Sequence, residues 1–144
     1  MSNQRTHARR FAVQALYQWQ LTDYDIQHID DEFITEHDTS KVDIPYFREL
    51  LHGVPEHLHE LDEQFVPMLD RPLEEVDPVE LAILRIGCFE LMFKLEVPYR
   101  VVINEAVELA KRFGAEESYK YVNSVLDKVA ARLRATEVNA RRNA

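Results

Sequence analysis

Three arginines, Arg5, Arg9 and Arg10, stand in the first ten residues with no acid among them. The segment reads as a helix start, where exposed cations oppose the macrodipole at about 0.3–1 kcal/mol each. Phosphate would explain them, because guanidinium binds it bidentately and the free amides of a helix start also favour anions. Such contacts give affinity and salt dependence rather than sequence choice. The other reading is a solvated face that pairs with the protein's own acidic middle, and the sequence leaves both open. A second constellation, Lys111-Arg112-Phe113-Gly114-Ala115-Glu116-Glu117, joins two helical patterns. Its cations, ring and turn suit single-stranded RNA, whose bases stack on aromatics beside basic groups while carboxylates accept from base edges. Phe113 has an alternative as a packing residue, since it lies near the apolar stripe of Ile103, Ala106 and Ala110.

Other chemistry is weakly supported. His52, Glu56, His59 and Glu63 would share a face if a helix ran through Pro55. There is no HExxH pattern, and a proline breaks the geometry a divalent ion needs, so an exposed polar face and no metal are expected. Cys88 is the single cysteine. It excludes an internal disulfide, fits a reducing cytoplasm, and sits in an apolar run as a small core residue. No Gly-rich phosphate loop or nucleophile elbow is present, and the carboxylates fall on polar faces or helix starts. Neither an enzyme nor a cofactor is expected. Asn123, beside the core stripe of the last helix, is expected to hydrogen-bond a neighbouring loop. Arg85, inside the apolar run, should pair with an acid or cover one with its stem.

These residues need a scaffold, and the chain reads as all-α. No segment alternates like a strand, and the 144 residues suit one domain. The centre is Asp77–Glu96, DPVELAILRIGCFELMFKLE, apolar in nearly every direction of the wheel and so surrounded by protein. Its charged residues leave no span of membrane length. Asp77 suits the N-cap, Pro78 the first helical position, and Glu80 the returning arm of a capping box. Helices are expected over 3–21, 25–37, from the Asp43 cap to about Val54, through Leu58–Val66, over 77–96, 101–113 and 116–134. Pro55 should kink or split the third from the fourth, and Gly114 should close the sixth at its C′ position. Residues 135–144 are polar, lack an apolar stripe, and are expected to form a flexible tail beyond a 1–134 domain. There is no signal peptide pattern. The net charge of −9 conceals basic ends and a middle with eight acids over 22–44. That split suits a basic protein partner, with faster association at low salt.

Three stretches carry a resemblance: ARRFAVQALYQWQL at 8–21, YFRELLHGV at 46–54, and VPYRVVINEAVELAKRFGAEESYKYVNSVLDKVA at 97–130. Together they resemble the NusB family of bacterial transcription antitermination proteins, in colinear order over about residues 5–130. The resemblance implies about seven helices in two packed bundles around the buried central helix. It also implies pairing with the ribosomal protein NusE, binding of single-stranded boxA RNA in nascent, chiefly ribosomal, transcripts, and read-through of terminators by RNA polymerase with other antitermination factors. By position, Arg5, Arg9, Arg10 and the junction with Lys111, Arg112, Phe113 and Glu117 fall on the family's RNA-contacting surface. Tyr17 and Glu80 match positions linked to complex formation with NusE and RNA. Family members occur as monomers and as homodimers. The arm holds fewer basic residues than some relatives, and Pro55 falls where related proteins can run one continuous helix. NusB-like domains also precede some RNA cytosine methyltransferases, and a purely protein-binding helical scaffold is a third reading.

Overall fold

The computed structural model describes residues 2–143, with the side chain of Ser2 left aside. Among the described residues there are eight α-helices, two single 3₁₀ turns and no strand. The helices are α1 (Ser2–Leu21), α2 (Ile26–Glu36), α3 (Ile44–Glu56), α4 (Leu58–Phe65), α5 (Pro78–Phe93), α6 (Tyr99–Phe113), α7 (Ser118–Leu133) and α8 (Ala135–Arg142). The 3₁₀ turns, Val66–Met68 and Leu73–Glu75, lie in the connector before α5.

The centre is α5, where ten consecutive residues, Ala82–Leu91, are buried. It packs against α1, α3, α4, α6 and α7, which is why it has no polar face. Each fully buried Leu or Ile there contributes about 1.5–3 kcal/mol. Two glycines set how closely its neighbours approach. A Cβ on Gly87 would come 2.7 Å from Leu126 Cδ1, and one on Gly53 would strike the Phe89 ring. The polar residues of α5 are all engaged. Arg85 donates to both oxygens of Asp62 at 3.0 Å and to Gln20 Oε1 at 3.0 Å, the acid pairing expected of it.

The helix boundaries follow from local chemistry. Asp77 caps α5, its carboxylate accepting from Val79 N and Glu80 N, and Asp43 caps α3 by accepting from Tyr46 N at 3.0 Å. Pro55 lies in the last turn of α3, and the chain breaks at His57 before resuming as α4. Proline has no amide to continue the ladder, so the outcome is a split.

The expected polar tail is corrected. Residues 135–142 form α8, which raises the helix number from about seven to eight. No apolar stripe holds it; two polar anchors and one valine do. Arg134, 6% exposed, donates to the carbonyls of Glu90, Leu91, Lys94 and Val97, around the end of α5. Glu90 O and Lys94 O also accept from the amides of Lys94 and Val97, and the guanidinium fork adds a second donor to each while serving Leu91 O and Val97 O, so it acts as a cap on the end of α5. Glu137 bonds Arg134 at 2.7 Å and accepts from Tyr99 N at 2.8 Å. The N-cap of α6 is Pro98, which has no side-chain acceptor of its own, and Glu137 supplies one from α8. Val138, 4% exposed, completes the contact.

Candidate nucleic-acid interface

The N-terminal arginines separate by helix angle. Residues on an α-helix advance about 100° each, so Arg9 and Arg10 face different neighbours. Arg9 is 3% exposed. Its Nε and Nη2 donate to Glu90 at 2.8–3.1 Å, and its Nη1 donates to Glu105 Oε1 at 2.7 Å. Thr6 Oγ1 shares Glu105 at 2.6 Å, and the Tyr46 hydroxyl donates to Glu90. Burial alone would lower the Arg9 pKa, but the hydrogen bond and charge of Glu90 outweigh it and hold the guanidinium above its ordinary value. Burial, then the Glu90 charge, push the Tyr46 phenol up as well. The expectation that Arg9 meets phosphate is therefore corrected: all three of its nitrogens are committed to carboxylates inside the protein.

Arg5 is also turned inward. It lies 4.1 Å over the Tyr46 ring, 3.8 Å from Asp43 and 4.0 Å from Glu96. Arg5 fits the alternative of a solvated face that meets the acidic middle, at Asp43, whereas Arg9 fits neither reading, since it is buried against Glu90 and Glu105. Arg10 is different. Half-buried, it lines a cleft of about 370 Å³ between α1 and α6 with Lys111, Arg112, Glu105 and Glu108. The fold thus joins Arg10 to two cations of the Lys111–Glu117 junction.

At that junction Phe113 is half-buried and packs against the core, which supports its packing role, while one face lies 5.8 Å from the Arg112 guanidinium. Gly114 is not left-handed; its φ is −88°. The reason for glycine is space, since a Cβ would lie 2.8 Å from Ala110 O and 2.9 Å from Ser118 Oγ. The left-handed residue is Glu117, φ 72°, whose exposed carboxylate pairs with Lys120 at 2.6 Å. Tyr17, 39% exposed, lies seven residues from Arg10 and so on the same side of α1. Glu80 does not reach back to its N-cap. It accepts from Ser118 Oγ at 2.6 Å and ties the start of α5 to the start of α7.

Sequence reasoning passed over Tyr119, Lys120, Tyr121 and Arg71. The Lys111 ammonium sits 5.0 Å from the Tyr119 ring centre and Lys120 6.0 Å from it, while the Arg71 guanidinium lies 4.6 Å from that of Tyr121. The signal available was Tyr-Lys-Tyr directly after the junction, an aromatic pair around a cation.

The remaining candidates disperse. His52 bonds the buried Asp30 at 2.6 Å, whereas His59 is exposed near Glu63 beyond the α3/α4 break. Burial pushes the Cys88 thiol up to about 12, where it is neither nucleophile nor ligand at neutral pH. Asn123 is corrected: its side chain is exposed and, among the described residues, bonds no loop. It borders a small polar pocket with Arg100, Asn104 and Asp127.

A profile described as "NusB family" matches residues 6–131. The transcription antitermination protein NusB of Nitrosococcus oceani is 60% identical over 141 residues, covering 98% of this chain and 95% of that protein. The protein of the same name from Pseudomonas entomophila is 54% identical, covering 96% of this chain and 84% of that one. Among solved structures, NusB from T. maritima superposes with a TM-score of 0.81 at 29% identity, covering 93% of this chain and 96% of that one. A crystal structure of the antitermination factors NusB and NusE in complex with double-stranded RNA matches with a TM-score of 0.79 at 26% identity, covering 90% and 97% of the two chains. This chain belongs to the NusB family.

Proposed function

We propose that this protein is a transcription antitermination factor of the bacterial cytoplasm. It binds single-stranded boxA-type RNA of nascent transcripts jointly with ribosomal protein NusE and helps RNA polymerase read through terminators, chiefly on ribosomal RNA operons. It acts by binding, with no covalent step and no cofactor. The relatives' name supports the antitermination role, and one structural neighbour, an assembly of NusB and NusE with double-stranded RNA, supports pairing with NusE and binding of RNA. The observation that carries it is the cleft where Arg10, Lys111 and Arg112 converge beside the Phe113–Glu117 turn.

In this reading the three cations take phosphates, with Glu105 and Glu108 limiting where a backbone can sit. Tyr119, Lys120 and the exposed side of Phe113 offer stacking and charge to unpaired bases, and Glu117 accepts from a base edge. Arg5 and Arg9 hold α1 in place rather than meeting RNA. NusE approaches the side of α1 that shows Tyr17, near the start of α5 with Glu80. There Leu21 and Tyr24, 54% and 53% exposed, border an apolar cleft of about 530 Å³ that also meets Glu74. Exposed apolar residues of this kind rimmed by acids suit a basic protein partner.

The test is calorimetric titration of the full chain with NusE, and fluorescence anisotropy with a labelled boxA-type oligoribonucleotide, alone and together. The expected result is salt-dependent RNA binding that strengthens with NusE present. Absence of binding to both would overturn the reading.

A further inference from the structure

Beyond the junction, α6 and α7 run side by side and carry matching polar stripes. Arg100, Asn104 and Lys111 are spaced by four and seven on α6; Tyr119, Asn123 and Asp127 are spaced by four on α7. At the junction end, Lys111 lies 5.0 Å from the Tyr119 ring centre. At the far end, Arg100, Asn104, Asn123 and Asp127 surround a pocket of about 240 Å³ walled on its core side by Ile103, 5% exposed.

This pocket is unlike the other polar groupings of the protein. Arg9, Arg85 and Arg134 all meet carboxylates. Around this pocket a guanidinium and a carboxylate face the same space, yet none of the four side chains makes a hydrogen bond or ion pair among the described residues. The set offers two primary amides, each a donor and an acceptor, one carboxylate acceptor and one guanidinium donor. Asn pairs bidentately with adenine, carboxylates accept from exocyclic amines, and Arg bonds guanine. Pockets for drug-sized ligands run about 300–1,000 Å³, so this smaller one suits a single heterocycle. From Lys111 to Asn104 the helix rises about 10 Å. That is about three steps of a stacked strand at ~3.4 Å each.

We propose that the pocket bounded by Arg100, Asn104, Asn123 and Asp127 is a base-reading subsite, taking one unstacked base of an RNA strand that continues from the junction along the α6/α7 groove. The inference rests on the RNA-binding reading above and adds to it a source of sequence preference, which phosphate contacts lack.

The experiment uses the full chain and a labelled single-stranded boxA-type oligoribonucleotide, with variants made abasic at one position at a time. Asn123→Ala, whose exposed side chain leaves the melting temperature unchanged, should lose about tenfold in affinity, the lower range for a bidentate base contact. Its log K against log salt slope should stay that of the wild type. One abasic RNA should bind wild type about tenfold less well than the intact RNA, yet bind Asn123→Ala no worse than the intact RNA does. Asp127→Asn should blunt the same position. If both variants bind every RNA as wild type does while Arg10→Ala binds less well, the subsite is wrong and the RNA reading stands. If Asn123→Ala weakens only NusE association, the pocket is a protein contact and the inference falls. If wild type shows no salt-dependent RNA binding, both fall together.

Discussion

Arg9 and Arg10 are adjacent in the chain and belong to two different charged regions. Around Arg9 lies an interior network in which Glu90 is 1% exposed and Tyr46 2%. Around Arg10 lies an open cleft with Lys111 and Arg112. In the first region each charge is matched at hydrogen-bond distance, and removing one partner strands another in a low-dielectric interior. In the second, cations outnumber acids and remain wet, so their net attraction is available to an outside polyanion. The same residue type thus anchors a helix at one position and offers a binding group at the next, with burial and partner count making the difference.

Four variants or conditions would break or sharpen that contrast. Arg9→Ala should have the largest effect, a loss of roughly 3–5 kcal/mol, because it leaves Glu90 buried without its main counter-charge. At this chain length that is a fall of roughly ten degrees in melting temperature, read by calorimetry. An unchanged melting temperature with weaker RNA binding would reverse the assignment of Arg9.

Arg10→Ala should do the opposite. Stability should stay within about 0.5 kcal/mol, as for ordinary surface substitutions. RNA affinity should drop, measured by anisotropy on the same preparation.

Glu117→Gly separates backbone from side chain at the junction. Glu117 holds a φ of 72°. Glycine relieves a strain of order 1 kcal/mol, so the urea midpoint should rise while RNA binding weakens. A lower midpoint would mean that the Lys120 ion pair matters more than the strain.

The smallest effect concerns α8. Burial alone would raise the Glu137 pKa, but the Tyr99 amide and Arg134 hold it below the ordinary 4.5. A depressed carboxylate contributes stability in full above its unfolded value and loses it as pH falls through the folded one. Hydrogen exchange on α8 should therefore accelerate below about pH 4.5 relative to α5. Equal acceleration of both helices would show that α8 does not depend on this anchor.

Much of the scaffold was legible in the sequence because its signals are local. The apolar run of α5, the Asp77 and Asp43 caps and the proline break after α3 each lie within a few residues of their cause. The misreadings share a different origin, in partners that are distant in the chain. Arg9 finds Glu90 81 residues away, Glu80 finds Ser118 38 residues away, and Arg134 finds Leu91 O 43 residues away. No periodicity announces such pairs, and α8 has only Val138 to mark it as packed. The junction was legible as a basic, aromatic turn. That Arg10 alone of the three N-terminal arginines would join it needed the rotation of α1 against α6.

The most direct test of the cleft is the salt dependence of boxA-type RNA binding for wild type and for Arg10→Ala/Lys111→Ala/Arg112→Ala, at unchanged melting temperature. With each phosphate contact contributing about 0.7 to the slope for a single strand, the triple variant should flatten log K against log salt by about 2. A slope equal to that of the wild type would contradict the assignment of phosphate binding to this cleft.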